Sequence, residues 1–190
     1  MDIKQKKINL RKKIKEKIAE LDAAYCQKAD AQIAMRVTAL PEYEAAKTIF
    51  CYVGMEQEIN TLPILFDAWK NGKRVGVPRC IGKGIMKVYR VRSMEDLQSG
   101  HYGILEPRES CELLKPQELD LALIPCVTCN DSGERLGYGG GYYDRYLTRS
   151  TFPRVIMCRE RIMEPDIPVD WQDQRMNVVV TESKTIRIGR

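Results

Sequence analysis

Arg135-Leu136-Gly137-Tyr138-Gly139-Gly140-Gly141-Tyr142-Tyr143-Asp144-Arg145-Tyr146 is the stretch around which the chain is organised. Four of the thirteen glycines fall here, at positions 137, 139, 140 and 141. Just upstream, residues 119–125 (LDLALIP) read as a buried strand, and just downstream residues 142–147 open a helix. Strand, glycine loop and helix start make a site for an anion. Backbone N–H groups point outward, the helix dipole favours negative charge, and glycine lets a phosphate approach closely. Asn130-Asp131-Ser132-Gly133, immediately before, reads as an ordinary turn. Three successive glycines flanked by tyrosines and an aspartate exceed what a turn requires. The stretch fits neither GxxxxGK followed by Ser or Thr, nor a GxGxxG after a first strand. It is therefore neither a plain P-loop nor a plain dinucleotide fingerprint.

The length of 190 residues suits one domain, 1–190, with a sizeable core. Hydrophobic content of 44% and charged content of 30% describe an ordinary soluble protein. No apolar run approaches a membrane span, and the first residues are charged rather than signal-like, so a cytoplasmic location is expected. Seven scattered cysteines read as reduced, mostly buried thiols. Cys126-Val127-Thr128-Cys129 is a single CxxC, and His101 is the only histidine. That is a poor supply of metal ligands. His101 itself reads as a surface residue of a polar loop. The net charge of +5 suits an anionic small ligand. No RNA-binding signature accompanies it, so nucleic acid is not an expected partner.

Outward from the glycine stretch, the elements alternate. Residues 4–21 form a basic helix with Ile14, Ile18 and Leu21 on one face, and 23–40 a second helix ended by Pro41. The basic residues of the first helix read for the most part as a solvated face. Residues 48–53 are an apolar strand of the kind buried on both faces. Residues 62–71 form a helix, and 74–79 and 86–91 form strands. Strand, helix, strand at this spacing is a βαβ unit with parallel pairing. Glu56 and Glu58 follow the first strand, where α/β sheets bind ligands, but they also stand before helix-capping Asn60 and Thr61. Arg79, at the end of another strand, reads equally as a ligand contact or a surface residue. Residues 94–104 are loop-like, and 154–158 and 178–181 are the last strands.

With LIPCVTCNDSGE before it, RLGYGGGYYDRYL resembles the signature of the 5-formyltetrahydrofolate cyclo-ligase (methenyltetrahydrofolate synthetase) family. Lys7-x-x-Leu10-Arg11 is similar to the family's N-terminal Lys-x-x-Leu-Arg element. Gly103-Ile104-Leu105-Glu106-Pro107 is similar to its Gly-Ile-x-Glu-Pro element, and Asp173 before Val179-Val180-Thr181 to its closing element. The family usually has Asp where this chain has Asn177, and some members carry Lys where it has Gly140.

The resemblance implies a three-layer α/β/α fold with a mainly parallel central sheet, related to sugar-isomerase and CoA-transferase-like sheets. It implies ATP- and Mg²⁺-dependent closure of 5-formyltetrahydrofolate to 5,10-methenyltetrahydrofolate. ATP is expected against Lys7, Leu10, Arg11, Arg135, Leu136, Gly137, Tyr138, Gly139, Gly140, Gly141, Tyr142 and Tyr143. The folate is expected against Val53, Glu58, Tyr138, Gly139, Gly140, Gly141 and Tyr142. Asp144 and Asp173 are the candidates for the metal, and Arg135, Tyr142 and Glu58 for the chemistry. Tyr143, Tyr146 and Arg145 have packing or surface readings beside these. The chain is expected to act as a monomer. Two other readings fit the residues less well: a kinase of another small molecule, and a non-catalytic, RNA-binding member of the fold.

Overall fold

The structure is a computed structural model that describes residues 2–100, 103–148 and 150–189. His101 lies outside the described residues. The strands are β1 (Thr48–Cys51), β2 (Arg74–Gly82), β3 (Ile85–Val91), β4 (Leu97–Ser99), β5 (Leu105–Pro107), β6 (Leu113–Leu114), β7 (Leu121–Ile124), β8 (Thr128–Cys129), β9 (Arg135–Leu136), β10 (Arg154–Met157), β11 (Val178–Val180) and β12 (Thr185–Arg187). The α-helices are α1 (Ile3–Ala19), α2 (Ala23–Thr38), α3 (Pro41–Ala45), α4 (Leu62–Lys70) and α5 (Tyr142–Leu147).

Eight strands form one sheet in the order β12-β11-β10-β7-β1-β2-β3-β6. The five from β11 to β2 are parallel, with Ile49 opposite Val75 on one side and Leu121 on the other. Antiparallel strands close both edges. β1, β7, β10 and β11 are mostly apolar because helices or loops cover both faces. Alternate side chains divide them between two cores. Ile49, Cys51, Leu121, Leu123, Val155 and Met157 pack under α2, α3 and α4. Phe50, Ala122, Ile124, Ile156 and Val179 pack under Ile14 of α1, Leu147 of α5 and the β8–β9 ribbon. This is the expected three-layer α/β arrangement with a mainly parallel sheet.

Three local readings change. Pro41 does not merely stop the second helix. It occupies the first turn of α3, where its missing N–H costs nothing. The strand at 86–91 returns antiparallel to β2 rather than continuing the parallel set. Residues 94–104 are not all loop, since β4 pairs with β5.

The strand order reverses at β1: the chain goes to β2 on one side and later to β7 on the other. A crevice opens beyond the carboxyl ends of strands at such a switch point. Residues 52–58 and the β8–β9 ribbon with its glycine loop lie there.

Candidate active site

The ribbon aims the glycine loop. Asn130 Oδ1 accepts from the N–H groups of Ser132 and Glu134, which sets the tight turn between β8 and β9. β9 then delivers Arg135 into the interior. Its guanidinium donates to Pro125 O at 3.0 Å and to Asp144 Oδ1 at 2.9 Å, and covers the Tyr143 ring at 5.7 Å. The Arg135 side chain is only 4% exposed. This departs from the expected phosphate contact: Arg135 fixes Asp144 and the root of the loop. Leu136 is likewise core, and Tyr143 stacks on Phe50 at 5.8 Å with Tyr146 edge-on to the same ring. The packing reading of both tyrosines is the one the structure has. Among the described residues Arg145 makes no ion pair; it braces the loop through the carbonyls of Gly84 and Gly140. α5 has only six residues, so most of the anion-binding capacity rests with the loop amides rather than a helix dipole.

Gly139 and Gly141 adopt φ of +101° and +66°. At Gly139 a side chain would also meet the Arg11 guanidinium at 3.4 Å. Gly139→Ala is expected to strain the loop by about 1–3 kcal/mol. Turnover should fall about tenfold or more while the thermal midpoint drops by roughly 2–10 °C. Wild-type turnover in this variant would show that the loop conformation is dispensable.

α1 closes the site from above the loop. Arg11 Nε donates to Gly137 O at 2.7 Å. One turn earlier, Lys7 Nζ reaches Asp170 at 3.0 Å and Asp173 at 2.5 Å. Burial pulls the Lys7 ammonium down, but hydrogen bonds to Asp173 and Asp170 outweigh it and hold it above its ordinary value. Gln174 N–H donates to Asp144 Oδ1 at 3.2 Å, so the segment carrying Asp173 also touches Asp144. Lys7, Arg11, Gly137, Gly139, Asp144 and Asp173 thus converge from three distant parts of the chain. Leu10 packs into the second core, which fixes the rotation of the helix that presents the two cations.

Further along α1, Lys13 and Lys17 grip Glu164 at 2.8 and 2.6 Å. Burial raises the Glu164 carboxyl, but the two lysines prevail and hold it below its ordinary 4.5. The N–H of Gln172 and then Lys7 do the same for Asp170, whose ordinary value is 3.8. A carboxylate depressed in the folded state adds stability above its unfolded value and loses it as pH falls through the folded one. Resistance to urea is therefore expected to drop as pH falls below 4.5, and Glu164→Gln should flatten that part of the profile. An identical acid profile for Glu164→Gln would rule out this contribution.

Glu58 lines a cavity together with Tyr138 of the loop. Its Oε2 accepts from Met55 N–H at 2.9 Å, and its own backbone carbonyl accepts from Arg159. Burial, then the Glu58 charge, pushes the phenols of Tyr52 and Tyr138 well above their ordinary values, so both stay protonated donors. Tyr52, Glu58, Tyr138, Cys126 and Arg159 line one cavity of about 20 Å³ at the switch point. The Val53 side chain turns into the first core instead. Tyr142 lies half-buried over Gly140, where a Cβ would meet its ring at 2.6 Å. Arg79 is tied to Glu109 at 3.0 Å and approaches Glu106 at 4.0 Å, bracing the 103–107 segment.

Tyr52, Asp30 and Arg159 were not singled out from the sequence. Arg159 carried a signal all the same: it is a charge directly beyond an apolar strand, at a carboxyl end. Asp30 carried none, being one polar residue of a helix.

A glycine loop faced by helix-borne cations and a carboxylate turn, beyond the carboxyl ends of strands at a sheet switch point, stands where α/β enzymes bind their ligands. The model of the 5-formyltetrahydrofolate cyclo-ligase family matches residues 3–182. The chain belongs to that family. It is 31% identical to the probable 5-formyltetrahydrofolate cyclo-ligase of Schizosaccharomyces pombe, over 96% of this chain and 98% of that one. It is 30% identical to the 5-formyltetrahydrofolate cyclo-ligase of Mus musculus, over 93% of each. The structure of Aquifex aeolicus 5,10-methenyltetrahydrofolate synthetase superposes with a TM-score of 0.84 at 30% identity, covering 97% of this chain and 94% of that one. Among the described residues, no helix is long and apolar enough to cross a membrane.

Proposed function

We propose that the chain closes 5-formyltetrahydrofolate to 5,10-methenyltetrahydrofolate at the expense of ATP, releasing ADP and phosphate. A formyl amide is a poor electrophile and its oxygen a poor leaving group. Transfer of the γ-phosphoryl group to that oxygen corrects both. N10 then attacks the formyl carbon and loses its proton to water, the ring closes, and phosphate departs.

Catalysis of phosphoryl transfer is mostly positioning and charge neutralisation. Lys7 and Arg11 supply cations, and the amides of Gly137, Gly139, Gly140 and Gly141 supply donors. Asp144 and Asp173 fit a Mg²⁺ that arrives with the nucleotide. Each has one oxygen engaged by the protein, Asp144 through Arg135 and Asp173 through Lys7. The other oxygen is left for a cation that takes one or two carboxylates plus phosphate and water. When bound, Mg²⁺ would offset phosphate charge. Glu58, held by Met55 N–H, accepts from the pterin, and Tyr138 and Tyr142 donate or stack. Arg135 acts through Asp144 as a positioning residue.

The observation that carries this reading is that one glycine loop meets both groups, with Arg11 on Gly137 O and Tyr138 lining a cavity with Glu58. Purified protein mixed with 5-formyltetrahydrofolate, Mg²⁺ and ATP should develop the methenyl band in the near ultraviolet. Absence of the band, or growth equally fast without ATP, would overturn the proposal.

A further inference from the structure

Cys126 follows β7, Cys129 ends β8, and Cys158 follows β10. Because β7 and β10 are paired and the ribbon folds back across their carboxyl ends, the three thiols meet. Their sulfurs all lie within 4.8 Å of one another, and none is in a disulfide. Cys129 and Cys158 are buried, and Cys126 is half-buried. The CxxC alone offered two ligands; Cys158, 29 residues beyond Cys129 and on another strand, supplies the third.

The geometry points to a binding site for one thiophilic divalent cation of the zinc type, held by Cys126, Cys129 and Cys158. Thiolate sulfurs about 2.3 Å from a tetrahedral Zn²⁺ stand just under 4 Å apart, so small side-chain rotations suffice. Soft sulfur donors select such an ion over Mg²⁺. Three protein ligands leave a fourth position. Cys126 and Cys158 line the cavity of about 20 Å³ that Glu58 and Tyr52 also line, and one water needs about 10–15 Å³. A water fits as the fourth ligand. The site is separate from the Asp144–Asp173 carboxylates and does not rest on the cyclo-ligase reading. Each thiol that becomes a ligand gives its proton to solvent, so binding releases protons.

The test is a titration of chelator-stripped, fully reduced protein with Co²⁺. A thiolate-to-cobalt absorption band in the near ultraviolet should saturate at one ion per chain, release protons, and bleach when Zn²⁺ is added. Cys126→Ser, at the half-buried position, should weaken binding at least tenfold. Cys80→Ser, on exposed β2, should leave it unchanged. The wild-type spectrum decides the matter even if a cluster variant folds poorly. No thiolate band at excess cobalt, or a band that survives Cys126→Ser and Cys158→Ala, overturns the site. So does a Cys126–Cys129 disulfide that forms in air as readily with Zn²⁺ present as without it.

Discussion

Arg159→Ala is expected to cost about 3–5 kcal/mol of stability. Arg159 is 3% exposed and its partner Asp30 8%. The guanidinium makes a two-pronged pair with Asp30, at 2.7 and 2.9 Å, and donates also to the carbonyls of Gln57 and Glu58. Asp30 Oδ2 accepts in addition from Asn60 N–H. Alanine would strand a buried carboxylate, which is far costlier than losing an exposed pair. Against a total of about 5–15 kcal/mol the domain becomes marginal, and the thermal midpoint should fall by roughly 10 °C. Arg159→Met with Asp30→Leu should recover much of that loss, because it removes both charges together. The same clamp holds the loop that carries Glu58. Arg159→Lys keeps charge without the fork, so it should raise KM for the folate several-fold while KM for ATP stays level. An unchanged urea midpoint in Arg159→Ala, or equal shifts of both KM values in Arg159→Lys, would remove the clamp from the account.

That clamp also shows where sequence reading stops. The apolar runs of β1, β7, β10 and β11 were legible because a strand covered on both faces has no polar side to confuse it. The glycine loop was legible because few other roles need that composition. Lys7 and Arg11 were legible through the resemblance of Lys7-x-x-Leu10-Arg11, yet Asp170 was not, since it lies 163 positions from Lys7 and only the fold joins them. Arg159 and Asp30 are separated by 129 positions, and either one alone resembles a surface charge. Arg135 misled in the other direction. An arginine beside a glycine loop suggests an exposed anion contact, and nothing local announces that Pro125 O and Asp144 hold two of its nitrogens in the interior. The β4–β5 ribbon stayed hidden because its pairing is set by short backbone contacts rather than by an apolar run.

Arg11→Ala is expected to raise KM for ATP by about 10- to 100-fold. Arg11 is the cation set directly against the loop, bonded to Gly137 O and packed beside Gly139. Charged hydrogen bonds are worth about 1.5–3 kcal/mol each, and the substitution removes both the brace on Gly137 and a phosphate partner. Arg11→Lys restores the charge but not the planar fork, so it should recover only part of the affinity. Lys7→Ala should behave differently. In the structure Lys7 neutralises Asp170 and Asp173, and its loss leaves two carboxylates facing an incoming triphosphate. ATP binding should weaken in low Mg²⁺ and recover partly as Mg²⁺ is raised, because the metal takes over the neutralisation. Arg11→Ala should show no such recovery, since its cation stands against the loop rather than between the carboxylates. Calorimetric titration of ATP at low and high Mg²⁺ separates the two. Equal Mg²⁺ dependence in both variants would show that Lys7 and Asp173 do not belong to the metal side of the site.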